Sequence, residues 1–211
     1  FVSLDVGSYT ISEMDARDSD DFSISMEVIN EAPLGSVSGL IVGIECESSF
    51  TRVDTIEFVI GQRQMIFFEG FENELVNWSL DGDWGLTGDA VNGEFALSDS
   101  PEGEYQEGQE SIAELDRFID LNYLNSPVVE FKAKWEIESN WDFVRFQANI
   151  QDLGWVSLNG SYTELGSGQP AQPFGEPGYD GVQNEWVNEI IFLDQLNGAD
   201  ILGFRFIQTS D

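Results

Sequence analysis

The fold class is decided by the stretch Pro127-Val-Val-Glu-Phe-Lys-Ala-Lys-Trp-Glu-Ile-Glu-Ser-Asn-Trp-Asp-Phe-Val-Arg-Phe-Gln147. Apolar side chains at every second position from Val129 to Trp135 alternate with charged ones, so one face of the segment is apolar, which is typical of a β-strand. The alternation resumes between Trp141 and Phe146, where a change of phase indicates a β-bulge. We therefore predict an antiparallel hairpin at the centre of a β-sandwich. Its turn is expected to gather Glu136, Glu138 and Asp142.

The charge of the chain limits its partners. Among 211 residues, 40 are Asp or Glu and only 8 are Lys or Arg, which gives a formal net charge of −32. Such a field repels nucleic acid and anionic membranes, so we expect neither as a partner. The hydrophobic fraction of 41% is that of a globular protein. Carboxylates are the ligands of hard cations, so the composition is compatible with one or two bound calcium ions.

The chain contains no histidine and a single cysteine, Cys46. The absence of histidine excludes Ser-His and Cys-His nucleophile pairs, His general bases and His-containing zinc sites. One cysteine cannot form an internal disulfide, and Cys46 follows an apolar run, so we expect a buried, inert thiol. Any chemistry performed by this chain must therefore use carboxylates.

The chain divides into two predicted all-β modules. Residues 1–62 contain short alternating strands separated by turn signals, which favours a small immunoglobulin-like β-sandwich, although such a fold normally takes about 100 residues. Residues 63–211 contain further strand-like runs separated by long loops, and no segment shows the capped three-to-four spacing of a helix. Two packed sheets with long connections indicate a larger jelly-roll β-sandwich.

An ordered series of short motifs covers residues 66–211. It comprises Phe68-Glu-Gly-Phe-Glu72, Trp78, Trp84, Ser98-Asp-Ser-Pro101 with Gly103 and Tyr105, Ile119-Asp-Leu121, Glu138, Trp141-Asp-Phe143, Trp155, Gly160-Ser-Tyr-Thr163, Gly175-Glu-Pro-Gly-Tyr-Asp-Gly181, Trp186, Phe204-Arg-Phe206 and Ser210-Asp211. The series resembles the jelly-roll modules, related to MAM and cleaved-adhesin domains, that follow the catalytic domain in secreted bacterial metallopeptidases. In particular it resembles the C-terminal region of zinc carboxypeptidases from Bacteroidetes-type bacteria. The turn Gln151-Asp-Leu-Gly154 departs from the Asp-Gly-Gly that such modules usually carry.

The resemblance implies a non-catalytic accessory module of a secreted or cell-surface protein. The partner that it implies is an upstream catalytic peptidase domain, whose zinc ligands include histidines and therefore lie outside this chain. It also implies a structural calcium. Carried over residue by residue, the implied calcium ligands are Glu69 or Glu72, Asp99, and Glu138 with Asp142. The alternative is that Asp99 caps the turn before Pro101 and that the glutamates are solvated.

A carbohydrate-binding module is the second interpretation, because six tryptophans could stack on sugar rings. Trp84 and Trp141 lie in predicted turns and are expected to be exposed, whereas large aromatic residues on strands are more often buried in the core. Tyr179 is expected to be displayed by a frame of proline and glycine, where it could contact an extracellular protein or glycan.

A carboxylate-dependent glycosidase is the third interpretation. Glu136 and Glu138 lie two residues apart and would project to one face of a strand, with Asp142 close by. Retaining glycosidases need two carboxyl groups about 5 to 5.5 Å apart. The middle Asp that such enzymes usually carry between the two glutamates is absent from this sequence.

Overall fold

The structure is a computed structural model that describes residues 2–4, 7–11, 23–28, 36–46, 50–61, 64–121, 124, 126–196 and 199–211. The chain forms two compact units, Phe1–Gln64 and Met65–Asp211. In the described residues all regular structure is β-strand, apart from one 3-10 turn at Asp194–Leu196. The predicted all-β class is therefore confirmed. None of the described residues belongs to a helix long and apolar enough to cross a membrane.

The first unit contains two separate two-stranded antiparallel ladders. Strands β1 (Val2–Leu4) and β2 (Met26–Val28) form one, and β3 (Val37–Glu45) and β4 (Thr51–Val59) form the other. Ile60 is the one buried apolar side chain among the described residues of this unit. The immunoglobulin-like sandwich thus stays a prediction.

Cys46 is exposed, so the expected buried thiol is wrong. It lies one residue beyond the end of β3, where its backbone N–H donates to the carbonyl of Phe50 at 3.0 Å and closes the connection to β4. β3 itself has no buried side chain, because its residues are exposed or half-buried, so the apolar alternation before Cys46 does not place it in a core.

The described residues of the second unit form twelve strands. They are β5 (Trp78–Asp81), β6 (Gly85–Thr87), β7 (Ala96–Ser98), β8 (Glu110–Leu115), β9 (Ile119–Asp120), β10 (Val128–Glu136), β11 (Phe143–Ile150), β12 (Gly154–Ser157), β13 (Glu164–Leu165), β14 (Pro177–Gly178), β15 (Val182–Phe192) and β16 (Asp200–Thr209). Six of them form one antiparallel sheet in the order β12-β11-β16-β8-β5, with β9 also paired to β16. The pairs β10–β15, β6–β7 and β13–β14 are separate ladders.

The predicted central hairpin is wrong, although both of its strands exist. β10 pairs with β15, whereas β11 pairs with β12 and β16 in the six-stranded sheet. The acidic turn therefore crosses from one sheet to the other. Phe131 of β10 shows why, because its ring packs against Phe146 and Phe206 of the six-stranded sheet with both centroid distances at 5.3 Å. Placing the two strands in facing sheets buries both apolar faces, which pairing them side by side would not achieve.

The register irregularity predicted between Trp141 and Phe146 is instead found at other positions. β11 shifts against β16 between Asn149 and Ile150, beyond the predicted position, and β10 shifts against β15 between Ala133 and Trp135.

The core of the second unit lies between the β10–β15 ladder and the inner face of the six-stranded sheet. Its buried side chains include Ile191 of β15, Phe146 of β11 and Phe204 of β16, and the last two stack with ring centroids 5.5 Å apart. Each such side chain stabilises the fold by about 1.5–3 kcal/mol relative to exposure. The jelly-roll β-sandwich stays a prediction.

Candidate functional site

Glu69 and Glu72 tie together the segments that begin the second unit. One carboxylate oxygen of Glu69 accepts from the backbone N–H of Phe71 at 2.9 Å. Glu72 Oε1 accepts from the backbone N–H groups of Glu94 at 2.8 Å and Phe95 at 3.1 Å. Both carboxylates therefore hold loop backbone in place, as a carboxylate does at a cap or turn.

Asp142 lies in a buried hydrogen-bond network at the start of β11. Its Oδ2 accepts from the Tyr105 hydroxyl at 2.6 Å, and its Oδ1 accepts from the backbone N–H of Asp211 at 3.0 Å. The Tyr105 hydroxyl in turn accepts from the backbone N–H of Glu138 at 3.1 Å. Burial, reinforced by the Asp142 carboxylate, raises the pKa of Tyr105 to about 12. At neutral pH the phenol thus remains a donor to Asp142.

Asp99 lies close to this network. Its carboxylate accepts from the Ser100 hydroxyl at 2.9 Å. Burial raises the pKa of Asp99 above its ordinary value, and the charge of Asp99 contributes to the raised pKa of Tyr105. Asp99 and Asp142 therefore both act on the Tyr105 hydroxyl.

The five predicted calcium ligands do not form one set. Within the described part of the chain, no group of three or more Cys, Asp or Glu side chains could hold a metal ion. Glu69 and Glu72 accept hydrogen bonds from loop backbone at the start of the second unit. Glu138 is exposed and joins the Asp142 network only through its backbone N–H. The residues present thus do not fit a calcium site built from all five carboxylates.

The three carboxylates of the acidic turn lie in two different environments, and the glycosidase interpretation stays a prediction. Glu136 and Glu138 are exposed, whereas Asp142 is buried with both oxygens hydrogen-bonded. Ile137 between the glutamates is buried and donates its backbone N–H to Gly181 at 2.9 Å. Asp142 therefore anchors the crossing between the sheets and does not join a cluster with the two glutamates.

The predicted aromatic binding residues lie in different environments. Trp141 is 43% exposed, as expected. Trp84 is half-buried, its ring centroid is 5.8 Å from that of Phe206, and its Nε1 is shielded from solvent with no hydrogen-bond partner. Of these two indoles, Trp141 is thus the one open to a ligand.

The expected display of Tyr179 is wrong, because this side chain is only 3% exposed. Its backbone exchanges hydrogen bonds with Val144, and its ring packs against Trp135 at a centroid distance of 5.0 Å. The proline and glycine around Tyr179 let the loop return to the edge of β11, so the aromatic ring is carried into the core.

Glu189 is a buried acid that the sequence interpretation missed. It is fully buried in β15 and accepts from the backbone N–H groups of Ser161 at 2.6 Å, Ile190 at 2.8 Å and Tyr162 at 3.2 Å. Burial, with the nearby Glu189 charge, raises the pKa of Tyr179. The sequence did indicate this burial, because Val187, Glu189 and Ile191 occupy every second position and the Glu189 carboxylate therefore lies on the apolar face of the strand.

A polar set on the outer face of the six-stranded sheet was also missed. Arg205 Nε donates to Gln147 Oε1 at 2.7 Å, and Gln147 Nε2 donates to Ser157 Oγ at 3.0 Å. The guanidinium carbon of Arg205 lies 4.3 Å from the ring centroid of Trp155. Arg145 is opposite Ile207 and Gln147 is opposite Arg205, so the two arginines are diagonal neighbours on one face. We call Arg145, Gln147, Trp155, Ser157 and Arg205 the outer-face cluster.

Burial lowers the pKa of Arg145 and that of Arg205. The charge of Arg145 lowers the pKa of Arg205 further, whereas the surrounding carboxylates act in the opposite direction. The outer-face cluster therefore holds two partly desolvated positive charges close together and is suited to binding an anion or a polar ring.

No protein-family model matches this chain. No curated protein is significantly similar to it in sequence.

Proposed function

We propose that this chain is a non-catalytic accessory part of a secreted bacterial zinc metallocarboxypeptidase, where it stabilises, tethers or positions the catalytic domain. The observation that carries the proposal is the use made of the acidic side chains. Glu72, Asp142 and Glu189 all accept hydrogen bonds from backbone N–H groups of distant segments. Carboxylates used in this way hold loops on a scaffold and are not free to act as acids or bases.

The test of this proposal is the gene that encodes the chain. We expect a zinc-peptidase domain upstream, and we expect its Tm to fall when this chain is deleted, because a docked module that binds only the folded state stabilises it. The isolated chain should release no amino acid from peptide substrates. Turnover by the isolated chain, or an upstream region that encodes no peptidase, would contradict the proposal.

A structural calcium is part of the proposal, reduced to the neighbourhood of Asp99 and Asp142. Backbone carbonyl oxygens would have to supply most of the ligands there, as they do in many calcium sites. Adding calcium to the EGTA-treated chain should then raise its Tm, and Asp99→Asn should abolish the rise. A Tm that is the same in EGTA and in millimolar calcium would exclude the ion.

Carbohydrate binding is a second candidate function, favoured by the outer-face cluster. The cluster places the half-buried ring of Trp155 next to the guanidinium of Arg205, and an aromatic ring beside a hydrogen-bonding side chain orients sugar rings in binding sites. Soluble glycans should quench the emission of wild-type protein, and Trp155→Ala should weaken their binding. Flat titrations across plant, algal and bacterial glycans would count against this function.

A further inference from the structure

The outer-face cluster places positive charge together in a chain of net charge −32. The overall field repels anions but is screened beyond about 8 Å at 0.15 M salt, so an anion would bind here through direct contact with the arginines. Two of the eight Lys and Arg residues, Arg145 and Arg205, lie side by side there. The two guanidinium charges repel each other, and the repulsion is stronger where water is partly excluded. Glu110, Glu114 and Glu176 are near enough to favour the charged forms. Even so, among the described residues neither arginine is within ion-pair distance of a carboxylate.

The hydrogen-bonding capacity of the two arginines is largely unused. Arg145 Nε is shielded from solvent and has no acceptor. Arg205 uses Nε for Gln147, and Trp155 fixes the plane of its guanidinium. A guanidinium has five donors in a rigid fork, so each arginine retains donors for an external acceptor. The cluster is thus pre-oriented for an anion that is not part of this chain.

The side chains beside the arginines indicate what kind of molecule would carry the anion. Carboxylates bind guanidinium groups through two parallel hydrogen bonds, which suits an arginine whose plane is already fixed. Gly203, Asn149 and Trp155 lie opposite one another on three neighbouring strands, next to Arg205. Because Gly203 has no side chain, this row consists of one amide and one aromatic ring. Amides and aromatic rings bind sugar hydroxyls and sugar faces. An extended peptide would instead pair with the backbone of β12, an end strand among the described strands of this sheet, and not with the face that carries the two arginines.

We propose that the outer-face cluster binds the carboxylate groups of an acidic polysaccharide, with Arg145 and Arg205 as the anion-binding residues and Trp155 with Asn149 beside the sugar ring. This inference deepens the carbohydrate-binding candidate and rests on it. It does not depend on the peptidase association. The experiment below therefore separates failure of the acidic preference from failure of glycan binding altogether.

The test is isothermal titration of the whole chain with three polysaccharides in 0.15 M NaCl and EGTA. Polygalacturonate supplies carboxylates, κ-carrageenan supplies sulfate esters without carboxylates, and galactan is neutral. We expect polygalacturonate to bind. Arg145→Gln and Arg205→Gln should each weaken this binding at least about tenfold, as loss of one charged partner does at buried contacts.

The matched control is Arg52→Gln. Arg52 is exposed on β4 of the first unit, outside the six-stranded sheet, and its Nε lies 2.8 Å from the Asp54 carboxylate. We expect this variant to bind polygalacturonate as the wild type does. Urea unfolding of all three variants separates lost binding from lost folding: an unchanged midpoint with weakened binding supports a ligand-binding role. If the wild type does not bind polygalacturonate and both arginine variants are less stable, the arginines stabilise the fold and the proposal is overturned.

Three further outcomes would overturn it. Equal binding of galactan and polygalacturonate, unaffected by the arginine substitutions, leaves glycan binding standing but removes the acidic preference. Arginine-dependent binding of κ-carrageenan alone identifies sulfate as the ligand group. Arginine-dependent binding of poly-glutamate, without binding of polygalacturonate, identifies an acidic peptide as the partner.

Discussion

At the scale of single residues, the acids of this chain fall into two groups. Most of those that the structure describes are exposed or half-buried and contribute net charge, whereas Asp142 and Glu189 are buried and serve as acceptors for backbone N–H groups. The second group could not be recognised by residue type. A buried carboxylate is tolerated only where donors replace its lost hydration, so its position reports a loop that must be held in place.

The stability of the second unit should depend on Glu189. Glu189→Ala leaves buried N–H groups without an acceptor, and we expect it to lower the free energy of unfolding by about 3 kcal/mol or more. Glu189→Gln retains one acceptor and should cost about 1–3 kcal/mol. Urea unfolding measures both. The control is Glu185→Gln on the exposed part of the same strand, with an expected change within about 0.5 kcal/mol. Equal effects at positions 185 and 189 would contradict the buried role.

Asp99 should make stability depend on pH. Because burial raises its folded pKa above the unfolded value, the folded chain holds the proton more tightly, and stability is lost as pH rises through the folded pKa. Asp99→Asn is neutral at every pH, so in EGTA its Tm at pH 7 should exceed that of the wild type. The difference should shrink as pH falls below the raised pKa. Scanning calorimetry at several pH values checks this, and a lower Tm for the variant at pH 7 would refute it.

At the scale of elements, the central strands show how packing overrides adjacency. β10 and β11 follow one another in the chain and both carry apolar faces, yet each finds its hydrogen-bonding partners elsewhere. A two-stranded hairpin would leave one of these faces in water. Placing them in opposed layers lets Phe131 meet Phe146 and Phe206, with the last pair of rings edge to face at 86°.

Phe131 should therefore be a main link between the two layers. We expect Phe131→Ala to lower the free energy of unfolding by about 3 kcal/mol, since it removes a ring that packs against two others. Lys132→Ala, on the exposed face of the same strand, should change it by less than about 0.5 kcal/mol. Chemical denaturation followed by tryptophan emission compares the two. Similar small effects from both substitutions would show that β10 does not pack as the structure has it.

At the scale of the whole molecule, the net charge of −32 opposes compaction. Self-repulsion of the folded chain is screened by salt, with a Debye length of about 10 Å at 0.1 M. We expect the Tm at pH 7 to rise by roughly 3 °C, equivalent to about 1 kcal/mol for a chain of this size, between 10 mM and 150 mM NaCl.

The same measurement near the pI of about 4.1 is the control, because most carboxyl groups are then neutral or balanced and salt should have little effect. A salt effect of the same size at both pH values would mean that repulsion between carboxylates is not its cause.

The sequence by itself determined the all-β class, the positions of the two central strands β10 and β11, the strong acidity and the exclusion of histidine chemistry. Each of these follows from composition or from alternation between neighbours, which are local properties. Only the tertiary structure decided that β10 and β11 separate, that Tyr179 and Glu189 are buried, and that Arg145 lies beside Arg205. Those outcomes depend on pairing between segments distant in the chain, and a pattern with period two says which side chains share a face but not which strand will cover them.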